Sequence, residues 1–112
     1  MVKMPKTGGQ LIAECLDTNE VKYVFCVPGE SYLGALDALF DKKKSIKVIN
    51  ARHEAGAANM AESYGKYTGK PGVALVTRGP GACHASVGVH IAHQDSTPML
   101  SLIHISEPTR PY

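Results

Sequence analysis

The sequence lacks an excess of charge of either sign, a long apolar run and an even set of cysteines. Twelve Lys and Arg residues against ten Asp and Glu leave a formal charge of +2, which is too small to favour a nucleic-acid partner. The one cationic run, Lys42-Lys43-Lys44, is interpreted as a solvated helix end. No stretch is apolar for long enough to form a signal peptide or to span a membrane.

The three cysteines, Cys15, Cys26 and Cys83, disfavour both a disulfide framework and a zinc site, because their number is odd and their spacing unpaired. Cys15 and Cys26 stand in apolar stretches and are predicted to be small core residues. Reduced thiols, together with the missing signal peptide, predict a cytoplasmic protein.

Common nucleotide and metal motifs are also missing. Gly79-Pro80-Gly81 begins a dinucleotide-binding pattern, but His84 replaces its third glycine, and Gly69-Lys70 continues with proline instead of Ser or Thr. His90 and His93 are three residues apart with no third ligand nearby. No metal site is therefore predicted.

The pattern that is present alternates β-rich runs with helical segments. Thr7 and Gln10 form a capping box that begins a first helix, whose apolar set is Leu11, Ile12 and Cys15. Strands are predicted at 21–27, 46–49, 73–77 and from 98, and helices at 31–40, with Ser31 as its cap, 53–67 and 82–92. This order predicts an α/β fold, with a parallel sheet flanked by helices on both faces and incomplete at its C-terminus.

The C-terminal run LSLIHISEPTR, Leu100–Arg110, matches the forward translation of a common transposase sequencing adapter at all eleven codons. We therefore predict a single native domain at 1–99 and a non-native segment at 100–112. The alternative is a genuine strand at 100–105 followed by an exposed tail.

Three turns follow the predicted strands, and ligands of parallel sheets bind beyond the carboxyl ends of strands. The turn before the third helix contains Glu54, and Glu54, Ala57, Ala58 and Ala61 share one helical face. In one interpretation the small residues leave room for a flat ligand or a partner subunit. In the other, Glu54 only complements the helix N-terminus and the alanines allow close packing.

The motifs V-P-G, R-H-E-x-G-A-A, T-G-x-P-G-V and G-P-G-A occur in this order between Thr7 and Met99. In this combination the chain resembles the pyrimidine-binding domain of thiamine-diphosphate enzymes, and within them the acetolactate synthase-like group. The resemblance implies that Glu54 hydrogen-bonds N1′ of the aminopyrimidine and so activates the cofactor. It also implies a set of residues that line the cofactor: Pro28, Gly29, Thr77, Pro80 and His84.

Two residues depart from the acetolactate synthase pattern. Glu30 stands where those enzymes commonly have glycine, and it is interpreted either as a substrate-side residue or as a solvent-facing acid. His84 stands where asparagine is usual, and it either changes the hydrogen bonding of the pocket or is a half-buried helix residue.

The resemblance implies thiamine diphosphate as cofactor, with Mg²⁺ held by a C-terminal domain that this chain lacks; FAD binding cannot be read from these residues. The implied partners are a 2-oxo acid and the diphosphate-binding domain of a second subunit, in a homodimer or homotetramer. The parent protein is predicted to decarboxylate or condense 2-oxo acids, and the chain alone to be inactive. Two alternatives are a stand-alone pyrimidine-domain subunit and a non-catalytic regulatory or binding domain of the same fold.

Overall fold

A computed structural model describes residues 5–103, and its helices and strands alternate in the predicted order. The elements are α1 (Gly8–Thr18), β1 (Tyr23–Cys26), a 3-10 turn (Glu30–Tyr32), α2 (Leu33–Asp41), β2 (Lys47–Asn50), α3 (Glu54–Thr68), β3 (Gly72–Val76), α4 (Pro80–Asp95) and β4 (Met99–Ile103). The predicted capping box is confirmed, because the Thr7 side chain accepts from the Gln10 amide and the Gln10 side chain accepts from the Thr7 amide.

The four strands form one parallel sheet in the order β2-β1-β3-β4. The chain moves outward from β1 to β2, crosses back over β1 to β3, and then continues to β4. The direction of winding therefore reverses between β1 and β3, and Cys26 near the end of β1 is level with Asn50 on one side and Leu75 on the other.

Helices cover both faces of the sheet, which confirms the predicted fold class. Right-handed crossovers place α2 on one face and, after the reversal, α3 and α4 on the other. Strand β3 is buried throughout and divides its residues between two cores. Val73 and Leu75 pack towards α1 and α2, whereas Ala74 and Val76 pack towards α3 and α4.

The alanine face of α3 is used for close packing. Ala57, Ala58 and Ala61 are fully buried between the sheet and α4. A Cβ atom built on Gly88 of α4 would lie 2.5 Å from the Ala58 Cβ, so the helices approach each other as closely as their backbones allow. The close-packing interpretation of the three alanines is therefore correct, and no room for a ligand remains between them and α4.

Three details of the sequence prediction are wrong. Helix α1 turns Ala13 and Leu16 inward, which leaves Leu11, Ile12 and Cys15 exposed; only Cys26 is the buried cysteine that was expected. The apolar set of a short helix cannot determine which side meets the sheet when small residues pack there equally well.

Ser31 does not cap α2. It lies inside the 3-10 turn, and Tyr32 occupies the cap position without a side-chain hydrogen bond to the helix. Helix α4 begins at Pro80, two residues earlier than predicted. Proline is favoured at the first helical position, because the amide hydrogen that it lacks would have no partner in the helix there.

Strand β4 pairs with β3 from Met99–Leu100 onward, in register with Gly72 and Val73. The predicted non-native segment therefore begins inside this strand, and its residues from 104 lie outside the described part of the chain. Its origin as translated adapter stays a prediction.

Candidate functional site

The reversal between β1 and β3 opens a crevice at the carboxyl ends of these strands, and such switch points are where α/β sheets bind ligands. The loop after β1 and the loop after β3 form its walls. The start of α3, which follows the neighbouring strand β2, reaches the same end of the sheet. All three predicted turns thus meet at one place.

The two loops touch at Gly29 and Thr77. A Cβ atom on Gly29 would lie 2.9 Å from the Thr77 Cβ, so only glycine fits there without displacing the threonine. The hydroxyl oxygens of Ser31 and Thr77 lie 2.5 Å apart and join the same loops by a hydrogen bond. The predicted pair Gly29 and Thr77 is therefore brought together in a tight contact.

The Tyr32 side chain links the chain after β1 to the end of β3. Its hydroxyl donates to the Val27 carbonyl oxygen and also lies 3.3 Å from the Leu75 carbonyl oxygen. Burial raises the pKa of this phenol, and the negative charges that Cys26 and Glu54 carry when ionised raise it further. The hydroxyl is therefore a donor that links the chain after β1 to the end of β3.

Glu54 is the first residue of α3, and His53 caps this helix. The His53 Nδ1 accepts a hydrogen bond of 3.0 Å from the Ala55 amide, which a ring nitrogen with a free lone pair can do in place of an Asp or Ser oxygen. The Glu54 side chain is 14% exposed and is held at the helix N-terminus, where a negative charge is favoured.

One oxygen of Glu54 is held by α4. The His84 Nδ1 lies 3.3 Å from the Glu54 Oε2, and the ring of His84 packs against that of His53 with centroids 4.7 Å apart. About half of the His84 side chain, 51%, is exposed. The contact with Glu54 agrees with the interpretation that His84 takes part in the hydrogen bonding of the site, while its place beside a cofactor stays a prediction.

The other oxygen of Glu54 faces the loop after β3. A Cβ atom on Gly81 would lie 3.6 Å from the Glu54 Oε1 and 3.1 Å from the Thr77 Cγ2. With no side chain at position 81, the backbone leaves a shallow cradle between Glu54 and Thr77. The cradle presents the Glu54 Oε1 beside the backbone of Gly81.

His53, Glu54 and His84 also offer ligand atoms that all lie within 4.8 Å of one another. Around Zn²⁺, however, His and carboxylate ligands at about 2.0–2.2 Å stand roughly 3.3 Å apart. The lone pair of the His53 Nδ1 accepts a hydrogen bond, so the neutral ring carries its proton on Nε2. Neither nitrogen then has a lone pair for a metal, whereas a metal-bound histidine binds through one nitrogen and donates from the other. The geometry favours a hydrogen-bonded cluster over a metal centre.

Three other predicted residues lie at the margin of the crevice. Pro28 is exposed and borders a groove between α2 and β2 that is also lined by Phe40 and Asn50. Glu30 is exposed at the start of the 3-10 turn, and Pro80 is exposed at the first position of α4. None of these three residues is hydrogen-bonded through its side chain to Glu54, Thr77 or His84 among the described residues.

Sequence reasoning missed His53, Ser31, Tyr32 and Gly81. Histidine is an uncommon helix cap, and a tyrosine after a Pro-Gly turn has no signature that distinguishes a buried strut from a surface residue. Gly81 stands in the G-P-G-A motif and could have been found from that motif.

Comparison with known proteins agrees with this geometry. Residues 6–108 match the family model described as thiamine pyrophosphate enzyme, N-terminal TPP binding domain. The chain is 44% identical over 95 residues to an acetolactate synthase of Bacillus subtilis (strain 168), an alignment that covers 85% of this chain and 16% of that protein. It is 41% identical over 99 residues to the acetolactate synthase large subunit of Lactococcus lactis subsp. lactis (strain IL1403), covering 88% of the chain and 17% of the relative.

A parallel α/β domain with an acidic side chain at its switch-point crevice has the architecture of a ligand-binding domain. The chain belongs to the family of N-terminal thiamine pyrophosphate-binding domains of thiamine pyrophosphate enzymes. It spans about one sixth of the length of the curated relatives it matches. The match also includes residues 100–108, so the boundary predicted at 99 stays untested.

Within residues 5–103, none of the helices combines the length and the apolar character that crossing a membrane requires.

Proposed function

We propose that this chain is the pyrimidine-binding part of a thiamine-diphosphate enzyme that decarboxylates or condenses 2-oxo acids. The observation that carries the proposal is the Glu54 carboxylate, which is largely shielded from solvent and has its Oε1 beside Gly81. The acetolactate synthases to which the chain is similar support the same class of reaction.

The residues present suit the pyrimidine half of thiamine diphosphate. A flat ring needs a surface without side chains, and Gly29 and Gly81 supply glycine on either side of Thr77. A ring nitrogen that is to be protonated needs a carboxyl group within reach, and Glu54 supplies it at the rim of that surface. When bound, the cofactor supplies an electron sink for the carbanion left by loss of carbon dioxide.

The protein's own contribution is positional and electrostatic. Glu54 holds a proton at the ring nitrogen, because a poorly hydrated carboxylate gains from sharing one. Thr77 and the glycine backbones around it orient the ring, and we assign the outer rim of the pocket to Pro28, Pro80 and His84. Glu30, exposed at the start of its turn, is assigned to the substrate side.

The remaining parts of the proposal concern the other half of the cofactor site, the assembly, the location and the activity. Mg²⁺ and the diphosphate would be held by a further domain, contributed by a second subunit of a homodimer or homotetramer. FAD is not assigned, since no described residue points to it. The free thiols of Cys15 and Cys83 are compatible with the reducing cytoplasm, where we place the protein. The isolated chain is proposed to bind the cofactor weakly and to be inactive.

Titration of the labelled chain with thiamine diphosphate, followed by NMR, tests the proposal. We expect the amide signals of Gly29, Gly81 and Ala55 to move, and Glu54→Gln to weaken binding roughly tenfold or more, as loss of a charge-assisted hydrogen bond does. Glu14→Gln, which changes a distant exposed carboxylate, is the matched control. Equal affinity of wild type and Glu54→Gln would remove Glu54 from the assigned role.

A further inference from the structure

We propose that His84 is a positioning residue that holds the Oε2 of Glu54 and thereby leaves the Oε1 free to face a ligand. This inference rests on the proposed function, because it concerns the same carboxylate. It goes further by dividing the two oxygens of Glu54 between a protein partner and a ligand. It also assigns a role to a residue that is exposed and belongs to a different helix.

The direction of the hydrogen bond follows from the chemistry of its two groups. An ionised carboxylate has no proton and can only accept. The His84 nitrogen that lies 3.3 Å from the Glu54 Oε2 is Nδ1, so neutral His84 must carry its proton on Nδ1. The contact therefore selects one tautomer of the ring, and this tautomer can be observed directly.

Two features hold the His84 ring in place. The His53 ring packs against it at 4.7 Å with a tilt of 30°, and His53 is itself fixed by its bond to the Ala55 amide. One helical turn further along both helices, Gly88 meets Ala58 in backbone contact. This contact sets the distance between the backbones of α3 and α4. The distance between Glu54 and His84 is therefore set by backbone packing and not by long side chains between the helices.

The result is a carboxylate with one preferred orientation. With Oε2 bonded to α4, rotation of the carboxyl group is restricted and Oε1 stays beside Gly81 and Thr77. Because the carboxyl group is already restricted, less of its rotational freedom is lost when a ligand bonds to Oε1. Removing His84 frees the carboxylate, and the expected cost is a loss of affinity without loss of the fold.

Substitutions at position 84 separate this role from a general structural one. The amide nitrogen of asparagine can occupy nearly the place of Nδ1, whereas that of glutamine lies nearer the place of Nε2. We expect His84→Asn to retain thiamine diphosphate affinity within about twofold, and His84→Ala and His84→Gln to lose about five- to tenfold, in the range of one hydrogen bond. His90→Asn, at an exposed histidine of the same helix, is the control.

A second measurement reads the bond without any ligand. Ring ¹⁵N shifts at about pH 8, where histidine is mostly neutral, should show the Nδ1–H form for His84 in the wild type. In Glu54→Ala they should move to the Nε2–H form, with His90 unchanged. An Nε2–H form in the wild type, or an unchanged His84 in Glu54→Ala, would overturn the proposal.

Equal rescue by asparagine and glutamine, or full affinity of His84→Ala, would also overturn it. Failure of the proposed function gives a different result. In that case the tautomer of His84 responds to Glu54→Ala as expected, but thiamine diphosphate does not bind the wild-type chain. That outcome would leave the hydrogen bond in place and refute its ligand-directed role.

Discussion

Gly88 of α4 and Ala58 of α3 pair one helical turn beyond His84 and Glu54, in the same order along both helices. The Ala58 Cβ lies where it would be 2.5 Å from a Cβ on Gly88. Helices α3 and α4 each cross back between parallel strands and therefore run side by side in the same direction. The Gly88–Ala58 contact, which determines the distance between the helices, and the His84–Glu54 hydrogen bond at the crevice therefore lie one helical turn apart in the same interface.

This relationship predicts the effect of Gly88→Ala. The added methyl group must push α4 away from the Ala58 backbone, and overpacking of this kind costs about 1–3 kcal/mol of unfolding free energy. Urea denaturation of the two proteins measures the difference. Gly34→Ala is the matched control, because a Cβ there meets nothing within 4 Å, and a helical alanine should add about 0.5–1 kcal/mol. Similar effects of both substitutions would contradict the close packing.

The buried phenol of Tyr32 predicts a loss of stability in alkali. Because burial raises its pKa, the folded state holds this proton more tightly than the unfolded state does. The stabilisation is complete below about pH 10, the ordinary pKa of tyrosine, and is lost as the pH rises further. The urea midpoint of the wild type should therefore fall as the pH rises above about 10, and by more than that of Tyr32→Phe.

The same experiment at neutral pH reports the hydrogen bonds of Tyr32. Tyr32→Phe should be less stable by about 1–2 kcal/mol, because the Val27 carbonyl loses its phenolic donor. Tyr67→Phe, at a side chain that is 93% exposed, should match the wild type at every pH. If Tyr67→Phe also removed the alkaline loss, the effect could not be assigned to burial.

The three cysteines should differ in reactivity. Cys15 and Cys83 are exposed and should react quickly with a thiol reagent at about pH 8, whereas Cys26 is fully buried. Burial also raises the pKa of the Cys26 thiol, so less of the reactive thiolate forms at that pH. Two rapid equivalents and a third only after addition of denaturant are expected. Rapid reaction of all three would mean that β1 is accessible.

The origin of the C-terminal segment can be settled by sequencing the source DNA across codon 99 in a long read. We expect the genomic frame to diverge from the adapter-like sequence at about Leu100 and to continue into a longer protein, because the alignment covers only 16% of an acetolactate synthase relative. A genomic frame that encodes Leu100–Arg110 as it stands would refute the adapter prediction. The search would then turn to a separate subunit with the diphosphate-binding half.

Much of the fold could be predicted because its signals are local. The Thr7 capping box, the continuous apolar run of β3 and the glycine-containing turns each depend on a few neighbouring residues. Glu54 was found for a different reason, since the resemblance of the R-H-E segment to a known family placed it. From spacing alone, its role could not be separated from a simple complement to the helix dipole.

The details that sequence reasoning missed depend on contacts between distant residues. The Ser31–Thr77 bond joins positions 46 residues apart, and the Glu54–His84 bond joins positions 30 apart. The exposure of Leu11 and Ile12 depends on which side of α1 meets the sheet. No window of sequence contains this information, because it arises only when the crossovers have placed the elements.

The crossed order of the strands has a consequence for how the chain folds. The crevice draws on the loop after β1, the start of α3 and the loop after β3, so a peptide must span at least Val27 to Gly81 to contain all three. The crevice forms only when β3 pairs with the edge of β1 that lies opposite β2. This pairing is non-local in the sequence, and non-local pairings form slowly. The ability to capture a ligand should therefore appear as the last event of folding, after most of the helical signal has been regained.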